Sequence, residues 1–534
     1  MRVERWLPAA VAEIAVVLAI FAAAGAWPTP DVNEAHYLTK ARHFVEPTWC
    51  AGDFFLESPA AHGVFYRLMG PLAAEASLDR AAWVGRWLGW LSLAVGFWHA
   101  VRPLLSTTAA RVLAAAVFSL ALRHTTAAGE WVIGGCEAKV FAWALVLGAA
   151  GEIARDRFAG AWLALAAATA VHPIVGGWGM VAVVLEWLVS GFPRSRPGLS
   201  TAVMLLAGAA LAAVGIVPAL RLSAGASVAD RAAAAAIYVV ERLPHHLLPR
   251  TFADGMVARH VLAILLLGAL SRLAAAFPLP DAGGGTATAR GRATGFTVAA
   301  ITISLAGLTI SLLEPFAPGF VHGLLRFYWF RLADGLVPLS LAVVVAAIVC
   351  GDGVKAVVPG RAAEIIRGVV VLAVVADIAD QSRHWPLPGR SDLVARSDTK
   401  VLAGPWRDIC LWVKDNTPAD AVFLTPRGAS SFTWRTGRRE VVSWKNIPQD
   451  ARSLLQWRAR VADCFSRDGS LAAAERSTAA LGVDRMRLVA GRYGADHAIV
   501  PLDTPGLTDL PWPRLHANAG YAVYRIPVDP AESR

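Results

Sequence analysis

A chain of 534 residues with 56% hydrophobic and only 17% charged residues, at a mean hydropathy of +0.49, is too apolar for an ordinary soluble protein. Its net charge of +10 and pI near 9.7 raise nucleic acid as a partner. The arginines, however, are scattered between hydrophobic segments instead of gathered on one basic face, which argues for no nucleic acid and for membrane lipids, anionic ones above all.

Five cysteines show no Cys-x-x-Cys or Cys/His ligand spacing, so no metal site and no cofactor is indicated, while a divalent metal requirement and an exported disulfide stay open. The composition predicts a polytopic α-helical membrane protein. The N-terminal apolar run from Leu7 to Trp27 is longer than the hydrophobic core of a signal peptide and predicts an uncleaved first helix.

Further runs of spanning length lie near 82–101, 109–123, 138–154, 158–172, 174–191, 200–222, 257–276, 295–313, 333–350 and 363–380, giving about eleven transmembrane helices. With the N-terminus cytoplasmic, the short connections 102–108, 155–158, 192–199, 273–294 and 351–362 fall inside. Each carries or adjoins Lys or Arg, among them Arg155, Arg157, Arg194, Arg196, Arg290, Arg292 and Lys355. This predicts a multi-pass protein of the inner (plasma) membrane. Residues 281–292, rich in Gly, Thr and Ala, read as a flexible cytoplasmic loop.

After the last apolar run, charge, Pro and turn signals become dense. Residues 1–384 are therefore expected to form the membrane domain and 385–534 a soluble α/β domain outside the cytoplasm. Helices are predicted over 406–414, 450–466 and 470–480, and strands over 421–425, 440–444, 497–501 and 521–526.

The polar clusters gather on the side away from the cytoplasm. After the first run comes Pro28-Thr-Pro-Asp31-Val-Asn33-Glu34-Ala-His36-Tyr37-Leu-Thr-Lys40. Asp31 with Glu34 three residues on has the form of a helix cap. It also supplies carboxylates beside His36, Tyr37 and Lys40, where one can accept a proton from a nucleophile. Asp53 follows Gly52 as a turn residue or a site residue.

Glu130, Glu137 and Lys139 stand at the mouth of the fourth span, where a charge costs up to roughly 2.5–3.5 kcal/mol at a helix centre. They read either as an ion pair or as a site lining. His172-Pro173 joins two spans with almost no loop. Arg242, His245 and His246 form a cationic cluster suited to phosphate, since neighbouring histidines chelate poorly. Arg326 lies among aromatics as a lipid-phosphate anchor, and Arg331 is one turn from Asp334, with which it can pair.

This layout resembles the GT-C superfamily of polytopic glycosyltransferases, which use polyprenyl-phosphate-linked sugars. The motif Asn33-Glu34-Ala35-His36-Tyr37 resembles the Asp-Glu motif of the protein mannosyltransferase and aminoarabinose transferase branches, with Glu34 on the family's Glu. The family's catalytic Asp falls on Asn33, which cannot act as a carboxylate base, so either Asp31 or Glu34 substitutes or catalysis is lost.

The resemblance implies transfer of a sugar from a polyprenyl-phosphate donor to an acceptor whose identity the sequence does not give. Asp31 and Glu34 would be catalytic, and Lys139, Arg242, Arg326 and Arg331 would bind the leaving phosphate. The alternative is a non-catalytic membrane protein, a lipid-glycan transporter or a scaffold. A transporter places ionisable residues near helix midpoints; here they cluster at one face.

Overall fold

The computed structural model describes residues 3–190, 199–276, 284–351, 360–390, 392–505 and 510–527. After α1 (Val3–Gly25) come three short helices, α2 (Glu34–Val45), α3 (Phe54–Glu57) and α4 (Gly63–Glu75). Longer ones follow: α5 (Leu78–Val101), α6 (Thr108–His124), α7 (Ala138–Ala154), α8 (Phe158–Val171), α9 (Pro173–Ser190) and α10 (Leu199–Arg221). A short α11 (Val228–Ala236) runs into a π-helical turn, Ile237–Arg242, and then α12 (Pro244–Leu247). The bundle ends with α13 (Asp254–Ala276), α14 (Gly284–Ser311), α15 (Pro318–Leu325), α16 (Arg331–Cys350) and α17 (Arg361–Ser382).

Every apolar run singled out in the sequence is a helix. Five of them, in α1, α10, α13, α14 and α16, are long and apolar enough to cross a membrane; the others are shorter or less apolar. Two extremes define the architecture. α16 is buried along nearly its whole length, whereas α10 turns Val203, Leu206, Val214 and Leu220 outward. A helix with such an apolar outer face belongs in lipid, so the chain is a membrane protein with α16 at its centre.

The loop expected over 281–292 is instead helical from Gly284. Tertiary contacts override the weak local propensity: Ala289 is buried, Arg290 Nε donates to Leu104 O at 2.9 Å, and Arg292 pairs with Asp156 at 2.9 Å. Residues 281–283, and the basic residues Arg194, Arg196 and Lys355, lie outside the described residues.

The C-terminal region forms α18 (Ala403–Asn416), β1 (Val422–Leu424), α19 (Phe432–Thr436), β2 (Arg439–Glu440) and α20 (Ala451–Phe465). It ends with α21 (Val483–Tyr493), β3 (His497–Pro501), β4 (Arg514–Ala517) and β5 (Tyr521–Arg525). The sheet order is β2-β1-β3-β5-β4. β2, β1 and β3 are parallel, and β5 and β4 close the sheet antiparallel. Trp406, Phe432 and Val523 fill one face, and Trp457, Val461, Val489 and Val500 the other.

Three local expectations change. The helix over 470–480 is a loop ending in a 3-10 turn, Thr478–Leu481, and α21 and β4 are additional. The strand over 440–444 stops at Glu440 because side chains take the carbonyls a ladder would use. Arg460 donates to Val441 O, Trp457 to Ser443 O (both 2.9 Å), and Arg242 to Trp444 O at 3.0 Å.

The region is not a tethered module. Ala234 and Ile237 of the bundle share its core. Ser397 Oγ donates to Pro30 O at 2.9 Å, and Ala61 N to Gln449 Oε1 at 2.9 Å. Among the described residues all five cysteines are free thiols.

Candidate functional site

The loop between α1 and α2 is built around Glu34, which is fully buried. Arg86, in the first half of α5 and also fully buried, brackets its carboxylate: Nε to Oε1 at 2.6 Å and Nη2 to Oε2 at 2.7 Å. The same carboxylate accepts the backbone N–H of Asp31 at 2.7 Å and of Cys136 at 2.8 Å. Glu34 thus reaches back as in a capping box, while the Asp31 carboxylate accepts from Val32 N at 2.7 Å. With four donors on two oxygens, Glu34 is committed to holding the loop against the 134–137 segment. Gly135 is needed there, because an added Cβ would lie 2.8 Å from Glu34 Oε1 and 2.9 Å from the Asp31 Cβ.

From this loop a chain of polar contacts crosses the end of the bundle. Asn33 Nδ2 donates to Glu137 Oε2 at 3.0 Å, and Lys139 Nζ lies 3.7 Å from Glu137 and 3.8 Å from Glu130. Glu130 meets Arg331 at 2.8 Å, and the Arg331 guanidinium stacks 3.8 Å from the Tyr328 ring centroid. The Tyr328 hydroxyl is 2.9 Å from that of Tyr238, which shares the π-helical turn with Arg242. A π-turn is a costly local geometry that recurs at functional sites; here Leu243 N bonds Tyr238 O at 3.0 Å. Tyr328 adds a second costly feature, a left-handed φ of 56°, worth on the order of 1–3 kcal/mol.

Arg331 does not pair with Asp334, the partner its spacing suggests. Asp334 instead accepts the backbone N–H groups of Ala127, Ala128 and Glu130 at 2.7, 3.0 and 3.2 Å, folding the loop that carries Glu130.

Burial disfavours the charged form of most groups here. It raises the Glu137 carboxyl above the usual range, against the pull of Lys139 and Asn33, and it raises the Tyr37 hydroxyl. Burial lowers His36, helped by Lys40 and His62, so the imidazole is neutral. Burial also lowers Arg242, whose guanidinium, among the described residues, donates only to backbone carbonyls, Trp444 O at 3.0 Å and Lys445 O at 3.4 Å.

The remaining candidates divide. Asp31 joins the chain: it is buried, sits 3.4 Å from Arg396, and acts electrostatically on Glu137. Arg326 is partly buried and lies beside Tyr238, and among the described residues its guanidinium has no hydrogen-bonded or carboxylate partner. His245 is exposed next to Arg242, and His246 Nδ1 meets Ala128 O at 2.5 Å, burial holding its ring at about 3.

Three others serve local structure. His172 Nδ1 accepts Val175 N at 3.3 Å, capping α9. Lys40 ties α2 to α3 through Phe55 O at 2.8 Å and Ser58 Oγ at 2.7 Å. Asp53 caps α3 through Phe55 N and Leu56 N, both 3.0 Å, and accepts Glu440 N at 3.2 Å.

The sequence alone misses Arg86, Asn33 as a hydrogen-bonding partner of Glu137, Tyr238 and Lys445. Arg86 carries a readable signal, a lone arginine inside an apolar run that must find a buried acceptor. Lys445 carries none, because its neighbours Arg242 and Glu137 are remote in sequence.

Fold and site together define a helical membrane protein whose α/β domain packs over a chain of buried polar contacts at one end of the bundle. A family model described as a domain of unknown function (DUF6798) matches residues 404–464, within the α/β domain. Comparison with curated proteins gave no match. Among solved structures, the chain is similar to the oligosaccharyltransferase of Archaeoglobus fulgidus, at 11% identity and a TM-score of 0.39, over 92% of this chain and 69% of that one. It is also similar to ArnT from Cupriavidus metallidurans, at 15% identity and a TM-score of 0.35, over 98% of both chains. Both are GT-C superfamily members, the superfamily that the Asn33–Tyr37 motif resembles. At these scores the likeness carries no assignment of activity, which has to come from the side chains.

Proposed function

We propose that the chain is a membrane transferase that moves a sugar from a polyprenyl-phosphate donor to an acceptor nucleophile at this end of the bundle. The observation that carries the reading is the half-buried Asn33–Glu137 pair at one end of the polar chain and, at the other, Arg242, which has no carboxylate partner among the described residues. A carboxylate opposite an uncompensated guanidinium is what displacement of a phosphate requires: a base for the incoming nucleophile and a cation for the leaving group. Glu137, whose proton affinity burial has raised, would take the proton from the acceptor, with Asn33 orienting its carboxylate and Asp31 beside it. The acceptor oxygen or nitrogen would bond to the anomeric carbon as its bond to the phosphate oxygen breaks. The phosphate would leave onto Arg242, with Arg331 and Lys139 nearby. Glu34 would act through position, as the pin that keeps Asn33 and Asp31 in place.

The test is a transfer assay in membranes with a panel of polyprenyl-phosphate sugars. Glu137→Gln should lower the rate by about two orders of magnitude or more, the usual worth of a general base. Full activity in Glu137→Gln would overturn the assignment.

A further inference from the structure

The α/β domain contributes more than a roof. Between β2 and α20 the segment 443–450 packs against the bundle beside Arg242 and is pinned from both sides. Arg242 donates to the Trp444 and Lys445 carbonyls at 3.0 and 3.4 Å, and Gln449 Oε1 accepts Ala61 N at 2.9 Å. Trp457 Nε1 holds Ser443 O at 2.9 Å from within the domain.

The side chains of this segment are less satisfied than its backbone. Among the described residues Lys445 Nζ has no hydrogen-bonded or carboxylate partner. Among the groups that act on it most strongly are the cations Arg242, Lys139 and Lys400 and the carboxylate Glu137, and it also acts on the His36 and His245 rings. That carboxylate is already engaged by Lys139 at 3.7 Å and Asn33 at 3.0 Å. Burial and these cations depress the Lys445 ammonium to about 8. Asn446 Oδ1 and Asp450 Oδ1, on the same segment, are buried without a hydrogen-bond partner, but as acceptors they suit a hydroxyl of a ligand and not its anion. Two partly desolvated cations from different domains, neither with a counter-ion, leave a net positive site that an anion would complete.

We propose that Lys445 is the second cation of an anion site whose first is Arg242. The phosphate of the ligand then binds across the seam between bundle and α/β domain. This rests on the transferase reading for the identity of the anion as a phosphate ester, and it adds that the α/β domain supplies part of the donor site.

The experiment uses the full chain in lipid nanodiscs and three probes: a ten-carbon isoprenyl phosphate, the matching isoprenol, and inorganic phosphate. Loss of one charge-assisted contact should weaken isoprenyl phosphate about tenfold or more in Lys445→Met and leave isoprenol unchanged, with Lys445→Arg within about threefold of wild type. Expressing each result as the ratio of phosphate to alcohol affinity in one sample removes any dependence on the folded fraction. On the wild-type chain, isoprenyl phosphate and not isoprenol should shield Lys445 from reductive methylation, read by peptide mass. Shielding by inorganic phosphate at the same concentration would show that the site recognises free phosphate instead of a lipid headgroup.

An unchanged ratio in Lys445→Met, with a lowered ratio in Arg242→Met, would place the anion on the bundle alone. That result overturns this inference and leaves the transferase reading standing. Unchanged ratios in both variants, with no shielding of Lys445, would overturn the two together.

Discussion

Glu34→Ala separates a positioning role from a catalytic one. Glu34 and Arg86 have no exposed side-chain surface, and their two contacts are 2.6 and 2.7 Å. Breaking a buried pair by removing one partner costs about 3–5 kcal/mol. Glu34→Ala also strands the N–H groups of Asp31 and Cys136, at about 1–3 kcal/mol for each buried donor left unpaired. These terms overlap, so about 5 kcal/mol is a fair total, and at roughly 1 °C per kcal/mol for a chain of this length the melting temperature should fall by about 5 °C. Arg86→Met takes a donor from Trp27 O and from the Glu34 carboxylate, which keeps its two backbone donors, and should cost less. The doubly apolar Glu34→Met/Arg86→Met should lose less than the sum of its parts, because neither charge is left alone. The assay is thermal unfolding followed by tryptophan fluorescence, with initial transfer rates measured well below the transition. If Glu34→Ala melted within about 1 °C of wild type while transfer collapsed, Glu34 would be acting on substrate and its role as a pin would be refuted.

The helices were legible because length and apolarity alone demand them, and the His172-Pro173 joint because a Pro marks it. β3 occupies the expected positions 497–501, where a short apolar run is flanked by turn residues. β4 escaped notice because Arg514–Ala517 is an edge strand whose side chains are mostly exposed, so no apolar alternation marks it. The site was legible as a set of residues and not as an arrangement. Asn33 and Glu137 are 104 positions apart, and Glu34 and Arg86 are 52 apart. The packing of α5 against α7 and the bend at Gly135 bring them together, and neither leaves a local pattern. The same holds for Lys445, whose meaning depends on a domain seam.

Three further outcomes test the arrangement. Gly135→Ala should cost about 1–3 kcal/mol by overpacking against Glu34 and Asp31 and should lower transfer with it; unchanged melting would show that the loop can give way. Burial, then Asp53, hold the Glu440 carboxyl up at about 8, so the folded chain keeps a proton that the unfolded chain loses near 4.5. Stability should therefore be fullest below that lower value and fall as pH rises through about 8, and Glu440→Gln should flatten melting temperature against pH over this window; parallel curves for the two proteins would contradict it. The last outcome concerns Asn33, 3.0 Å from Glu137. Asn33→Asp sets two carboxylates at that distance, where like charges share a proton, and should slow transfer. Adding Glu137→Gln restores one carboxylate and one amide with their positions exchanged. If the pair works as a unit, the double variant should exceed either single variant by about tenfold, a barrier lower by roughly 1.4 kcal/mol than that of the better single variant. A double variant slower than both singles would mean that the carboxylate has to come from position 137, and that the amide at 33 does more than orient it.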